Sequence, residues 1–195
     1  MSLIYKKATL DELELLTETR IEVLRAANQL NNGVDMFEVR EQSYEYYKKA
    51  LQNDSHLAYL IFDGEIFVGT GGISYFQVMP TYHNPTGRKA YIMNMYTKPG
   101  YRRKGIAFKT LDLLVKDAKS KGISYISLEA TEMGRPLYEK YGFIKMKDEM
   151  ELPNWWSGKA NLEVSKSNVI KQLQTMLERG RLIVSGDVIT VHNDE

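Results

Sequence analysis

The sequence contains no cysteine, which excludes disulfide bonds, thiolate metal sites and a cysteine nucleophile. Histidine is also scarce, since the chain has only His56, His83 and His192. These three lie far apart in the sequence and do not form a metal-ligand spacing. We therefore predict that the protein uses no metal.

An excess of either charge sign is missing as well. With 26 basic and 25 acidic residues, the formal net charge is +1, so no overall field attracts nucleic acid or an anionic membrane. No apolar stretch is long enough to span a bilayer, and residues 1–4 do not resemble a signal peptide. We expect a cytoplasmic protein with neither a nucleic-acid nor a membrane partner.

The most informative segment present is the basic turn at residues 101–107, with the sequence YRRKGIA. A buried strand is predicted before it at residues 90–97, and Pro99 ends that strand because it has no amide hydrogen. From Ala107 onward, apolar residues follow helical spacing as far as Gly122. The turn therefore lies at a helix N-terminus, where free amides and the helix dipole favour an anion.

Two interpretations of this turn are open at this point. It binds a pyrophosphate, or it is a basic turn that is simply solvated. The sequence GxxxxGK followed by Ser or Thr, which marks a nucleotide-binding P-loop, is absent, and so is the triple-glycine dinucleotide motif. An NTPase and a nicotinamide enzyme are both disfavoured.

A second motif decides between them. Arg102-x-x-Gly105-x-Ala107 is followed about thirty residues later by LYEKYGF at residues 137–143. Together, in this order, the two motifs closely resemble the GNAT superfamily of N-acetyltransferases, most strongly over residues 90–145. The resemblance implies that the turn holds the pyrophosphate of acetyl-coenzyme A.

The resemblance also implies which residues bind the co-substrate. In the family, the strand before the turn offers unpaired backbone groups to the pantetheine arm, and Thr131 stands where many members carry a pantetheine-binding asparagine. The coenzyme A-binding residues predicted in this way are Met95, Tyr96, Thr97, Arg102, Arg103, Lys104, Gly105, Ile106, Ala107 and Thr131.

Tyr138 is the tyrosine of LYEKYGF, which in the family donates to the coenzyme A sulfur, so we assign it as general acid. The alternative is that Tyr138 belongs to the packing face of a short helix. For the general base, family members use a strand glutamate or a water chain. Residues 90–97 offer no carboxylate, so Glu129 and Glu132 are the candidates, with Glu129 assigned first, although an isolated glutamate is more often solvated.

The periodicity and the resemblance together predict a mixed α/β (α+β) fold with a largely antiparallel central sheet flanked by helices. The expected order is a strand, two helices, three strands, a helix, a strand, a helix and a final strand at residues 143–152. Thr9 and Glu12 predict a capping box, and Asp63-Gly64 predicts a hairpin turn. This catalytic domain is assigned to residues 1–152.

Residues 153–195 form a predicted extension. A linker with Trp155 and Trp156 precedes a helical apolar face, and two short strands about Gly186 make a small hairpin. Such an extension cannot bury its apolar face alone, so it packs back on the domain or forms a subunit contact. A homodimer is one of these two outcomes.

The function predicted from the sequence is acetyl transfer from acetyl-coenzyme A to a primary amine of a small molecule or peptide, by direct attack. An alternative comes from another class: a GNAT-fold module that binds coenzyme A as a sensor or assembly part and has lost catalysis. The acceptor amine is not predicted by the motifs.

Overall fold

A computed structural model describes residues 2–147, residues 149–150, and the backbone of two strands near the C-terminus. The elements in chain order are β1 (Leu3–Lys7), α1 (Leu13–Ala27), α2 (Phe37–Gln52), β2 (His56–Asp63), β3 (Ile66–Gln77), β4 (Arg88–Thr97), α3 (Ile106–Ser120), β5 (Tyr125–Leu128), α4 (Arg135–Tyr141), β6 (Leu182–Ser185) and β7 (Val188–Val191). Single 3-10 turns cover Leu10–Glu12 and Pro99–Tyr101.

The central sheet has the strand order β1-β2-β3-β4-β5. The first four strands pair with one another in antiparallel orientation. β4 and β5 are parallel, and α3 forms the crossover between them. The predicted mixed, largely antiparallel sheet is confirmed.

Helices cover both faces of this sheet because the side chains of β2 alternate between them. On one face, Leu57 packs in a cluster with Leu111 and Leu114 of α3. On the opposite face, Leu60 packs with Leu16 of α1 and Tyr47 of α2. The sheet thus separates an α3 side from an α1–α2 side.

Local sequence signals account for the element boundaries. The Thr9–Glu12 capping box forms before α1, with the Thr9 amide donating to Glu12 Oε2 over 2.9 Å. Gly64 has a φ of +61° in the β2–β3 hairpin, a conformation that favours glycine. The glycines of β3 coincide with a shift in the β3–β4 register between Thr70 and Gly72, as at a β-bulge.

One predicted element is not observed. The described residues between 143 and 150 contain no strand, and Ile144 in this stretch is 88% exposed, so the expected final strand does not form there. Periodicity and the family resemblance predicted this strand, but β5 ends at Leu128 and offers only four residues as an edge. The predicted C-terminal hairpin is confirmed as β6 paired with β7, while the linker and helix predicted between residues 153 and 180 lie outside the described residues.

The chain divides into two compact units, Met1–Ile144 and Lys145–Glu195. The predicted boundary at residues 152 and 153 stays a prediction. Within the part of the chain that the structure describes, no helix has the length and apolar character needed to cross a membrane.

Candidate active site

A cavity of about 900 Å³ opens where β4 separates from β5. The two strands pair only from Lys89 with Tyr125 to Ile92 with Leu128, whereas β4 continues to Thr97. The walls of the cavity are formed by the end of β4, the turn before α3, the first half of α3, and the segment that leads into α4. The lining residues are Met95, Tyr96, Thr97, Tyr101, Arg102, Arg103, Gly105, Ile106, Ala107, Phe108, Lys109, Asp112, Thr131, Met133, Gly134, Leu137, Tyr138 and Lys140.

The end of β4 presents free backbone to this cavity. Residues 93–97 have no strand partner on the β5 side among the described residues. The Thr97 carbonyl oxygen accepts a hydrogen bond from Arg102 Nε, and the other amide and carbonyl groups on that edge remain available. On the other side of β4, two glycines of β3 allow the two strands to lie close together. A Cβ added to Gly69 would come within 2.7 Å of the Tyr96 carbonyl oxygen, and one added to Gly71 would come within 2.6 Å of Met95 Sδ. Met95, Tyr96 and Thr97 are therefore held beside the cavity by close packing.

The basic turn forms the second wall. Arg103 has a φ of +60°, and Gly105, the N-cap of α3, has a φ of +79°. A Cβ added to Gly105 would meet no atom within 4 Å, so the space above the α3 N-terminus is open. Helix N-termini carry unpaired amides and a partial positive charge, and exposed Arg102 and Arg103 add two full charges. This wall can hold a multiply charged anion.

Lys104 is the one residue of the predicted turn set that does not line the cavity. Its Nζ lies 4.9 Å from the centre of the Tyr101 ring, in a cation–π contact. Its predicted role in binding coenzyme A stays a prediction, but the geometry places its charge against an aromatic ring.

Sequence reasoning missed two further cations of the cavity, Lys109 and Lys140. Lys109 lies one helical turn after Gly105, and its amide donates to the Gly105 carbonyl oxygen over 3.0 Å. Lys140 comes from α4, and its Nζ lies 6.0 Å from the Phe108 ring centre. The signal that could have identified Lys109 is its i+4 spacing from the N-cap glycine, which places it on the same side of the helix.

Tyr138 contributes a buried side chain to the lining of the cavity. Its side chain is 8% exposed and packs in the α3-side core, with its ring 6.1 Å from that of Phe143. Burial raises the pKa of the Tyr138 phenol, which keeps the hydroxyl protonated at neutral pH. Within the described residues, no group hydrogen-bonds to this hydroxyl, so it is free to donate to a bound ligand.

The residues leading into α4 are held by Thr131. Its carbonyl oxygen accepts from Gly134 and Arg135, and Oγ1 accepts from the Gly134 amide over 3.2 Å. A Cβ on Gly134 would approach Tyr138 Cε2 at 3.2 Å, so glycine here leaves room beside the phenol. Thr131 lies in the cavity wall, and both its carbonyl oxygen and its Oγ1 accept hydrogen bonds from the protein backbone.

Carboxylates are scarce in the cavity. Glu129, the predicted base, is exposed just beyond β5 and does not line the cavity. Asp112 lines it, but Oδ2 bonds to Lys116 over 2.7 Å and Oδ1 accepts from the Tyr141 hydroxyl. Lys116 holds the pKa of Asp112 below its usual range, so this carboxylate is a poor proton acceptor. The described residues also contain no cluster of acidic or histidine side chains that could hold a metal.

On the α1–α2 side of the sheet, a small polar cluster surrounds a buried histidine of β2. His56 is 4% exposed, and its Nδ1 lies 3.1 Å from the Tyr46 hydroxyl and 3.0 Å from Ser74 Oγ. Burial, with a smaller contribution from the positive charge of Arg20, lowers the pKa of His56 to about 4. The histidine is therefore neutral at physiological pH.

Comparison with known proteins finds relatives of this chain by sequence and by structure. The Acetyltransferase (GNAT) family model matches residues 23–143. Thialysine N-epsilon-acetyltransferase of Mus musculus is 31% identical over 94 residues, which are 48% of this chain and 52% of that protein. The chain thus spans about half the length of this curated relative.

Solved structures extend the likeness over more of the chain. A predicted acetyltransferase from Clostridium acetobutylicum, solved with acetyl-CoA, is 34% identical and has a TM-score of 0.71, covering 77% of this chain and 96% of that one. A GCN5-related N-acetyltransferase from Ralstonia eutropha, 22% identical with a TM-score of 0.66, covers 77% of this chain and 98% of its own and shares the fold.

Proposed function

Because the chain belongs to the GNAT acetyltransferase family, we propose that it transfers the acetyl group of acetyl-coenzyme A to a primary amine of a small molecule or peptide. The observation that carries this proposal is that three features converge on one cavity. These are the unpaired edge of β4, the open helix N-terminus at Gly105, and the free hydroxyl of Tyr138. A strand edge, an anion site and a proton donor are what a thioester with a long phosphorylated arm requires.

The co-substrate is held by main chain and by charge. In this proposal, the pyrophosphate lies on the amides of Ile106 and Ala107 and is neutralised by Arg102 and Arg103. The pantetheine amides bond to the free edge of residues 95–97 as an added strand would. This arrangement brings the thioester toward Tyr138.

Transfer is direct and needs no covalent enzyme intermediate. The amine nitrogen attacks the thioester carbonyl carbon, a new C–N bond forms, and the C–S bond breaks. Tyr138 donates its proton to the departing thiolate, and the hydroxyl is later restored from solvent. The amine loses its proton to water, and Glu129, exposed after β5, is the side-chain alternative predicted from the sequence.

The relatives indicate only which acceptor amines to test first. A curated relative is a thialysine N-epsilon-acetyltransferase, so lysine-like amines are the first class to test. The proposed assay measures acetyl-coenzyme A-dependent thiol release across amines, amino acids, peptides and aminoglycosides. A thermal-shift titration with coenzyme A runs beside it.

The two measurements together separate the two functions that the sequence predicts. Coenzyme A binding with turnover on at least one amine supports the enzyme. Binding without turnover on any amine supports the inactive binding module instead, and absence of binding contradicts both. Light scattering in the same buffer tests the homodimer that the sequence predicts as one outcome.

A further inference from the structure

Arg20 is a charged residue on the core-facing stripe of α1. The buried residues of this helix include Leu16 and Val23, and Arg20 lies four residues after the first and three before the second. Its side chain is only partly exposed. A guanidinium at such a position loses part of its hydration. This loss is unfavourable unless a counter-charge or several hydrogen bonds compensate for it.

Neither compensation is supplied by the described residues. No carboxylate among them lies within ion-pair distance of Arg20, and a single hydrogen bond is made, from Nη1 to Asn94 Oδ1 over 3.1 Å. Arg40 provides the contrast: its guanidinium meets Glu14 and Glu18 of α1 and Glu41 of its own helix. Nearby Glu22 is itself engaged, with Lys98 Nζ at 3.7 Å. Among the residues that the structure describes, the Arg20 charge therefore has no counter-charge.

The contact with Asn94 places this charge at the opening between β4 and β5. Asn94 has a φ of +57° and follows the last β4–β5 pair by two residues. The next residue, Met95, lines the co-substrate cavity. Because α1 covers the sheet face opposite to α3, Arg20 lies on the far side of the opening from the basic turn. An acceptor that approaches the thioester from the α1 side passes this guanidinium.

Building on the proposed function, we infer that Arg20 binds a carboxylate of the acceptor, so that the preferred substrates are amines that also carry a carboxylate, such as amino acids. A guanidinium has five N–H donors in a planar fork that matches the two oxygens of a carboxylate. Asn94 accepts from Arg20 through Oδ1, and its Nδ2 group remains a donor beside the same fork. One cation and one amide suit a carboxylate better than a doubly charged phosphate group.

The test uses acceptor pairs that differ only in the carboxylate: lysine with lysinamide, thialysine with its amide, and glycine with glycinamide. Acetyl transfer is measured as kcat/KM, and binding to the coenzyme A-saturated protein is measured by calorimetry. We expect wild type to prefer the carboxylate member of at least one pair by about tenfold to a hundredfold, the range of a charge-assisted bidentate contact.

Three variants assign the preference to Arg20. Arg20→Gln should remove it by weakening only the carboxylate member, and Arg20→Lys should retain part of it because the charge stays while the fork is lost. Arg40→Gln, which removes the same charge from an exposed network, should keep the wild-type preference. Melting temperature with bound coenzyme A verifies that each variant folds.

The opposing outcomes are distinct. Equal handling of acid and amide by wild type overturns the inference, as does an equal loss on both by Arg20→Gln, which would mean that Arg20 only supports Asn94. A preference for phosphoethanolamine over every carboxylate acceptor also overturns it. If no amine is acetylated, the proposed function fails, while the calorimetric preference still decides the role of Arg20.

Discussion

The Arg102 guanidinium donates from Nε to the carbonyl oxygen of Thr97 over 3.1 Å. This bond connects the basic turn to the end of β4, so the proposed pyrophosphate site and the proposed pantetheine edge are fixed relative to each other. Arg102 thus has two roles in the cavity. Its Nε holds the turn to the end of β4, and the rest of the exposed guanidinium remains available to an anion.

Replacing Arg102 and Arg103 by alanine should weaken coenzyme A binding. Each charge-assisted contact contributes about 1.5 to 3 kcal/mol when well formed, so the double variant should lose at least tenfold in affinity. Calorimetric titration with coenzyme A measures the loss. Lys104→Ala is the matched control from the same turn, and it should have a smaller effect because Lys104 lies against Tyr101. Equal affinity in wild type and the double variant would contradict the pyrophosphate assignment.

Gly105→Val should abolish coenzyme A binding and leave the protein folded. The backbone there has a φ of +79°, so valine costs about 1 to 2 kcal/mol in strain, but its Cβ meets no protein atom within 4 Å. The added methyl groups instead occupy the space over the α3 N-terminus, where the phosphates are proposed to lie. Binding is measured by calorimetry and folding by thermal melting.

Gly122→Val gives the comparison that isolates the cavity. Gly122 follows the other end of α3 with a φ of +69°, and a Cβ there also meets no atom within 4 Å. It does not line the cavity. Both variants should therefore lose similar stability, whereas only Gly105→Val should lose coenzyme A. Equal binding by the two variants would show that the turn is merely basic.

Features encoded by neighbouring residues could be predicted from the sequence. The capping box depends on Thr9 and Glu12, three residues apart, and the β2–β3 turn depends on Gly64, so each signal is complete within a short window. The placement of Arg102 and Gly105 at the start of α3 followed in the same way from a strand, a break and a helical period.

Features that depend on contacts between distant segments could not be predicted. Arg20 and Asn94 are separated by 74 positions, and no local pattern relates them. Lys140 joins the cavity only because α4 packs beside α3. The strand expected after residue 143 failed for the related reason that a strand needs an available edge, and short-range apolar character does not reveal one.

His56 makes stability depend on pH. Burial lowers its pKa from 6.5 to about 4, so the unfolded chain takes up a proton at a higher pH than the folded chain does. The contribution of neutral His56 to the free energy of unfolding is therefore complete above pH 6.5 and is lost as the pH falls toward 4. The loss is on the order of 3 kcal/mol. Denaturant titrations at a series of pH values measure this loss.

His56→Gln should flatten the pH dependence, since glutamine does not titrate in this range. The substitution also costs stability at neutral pH, so the slope rather than the absolute value is compared. His83→Gln changes an exposed histidine and leaves His56 in place, which makes it the matched control. An unchanged slope in His56→Gln would mean that other groups control the acid response.

Tyr138→Phe should lower turnover while binding and folding remain close to wild type. The hydroxyl has no partner among the described residues, so its removal orphans no other group, and the ring keeps its packing against Phe143. If the phenol donates to the departing thiolate, its interaction strengthens as charge develops on sulfur, and the loss appears in kcat more than in coenzyme A affinity. General acid catalysis is typically worth about a hundredfold to ten-thousandfold.

Tyr141→Phe, in the same helix, is the matched control, and we expect it to affect stability rather than turnover. The Tyr141 hydroxyl donates to Asp112 Oδ1 over 3.1 Å, and Tyr141 does not line the cavity. Its removal should cost about 1 kcal/mol of stability and leave turnover nearly unchanged. Turnover, coenzyme A affinity and melting temperature are measured on both variants. Wild-type turnover in Tyr138→Phe would make Tyr138 a packing residue and identify water as the proton donor.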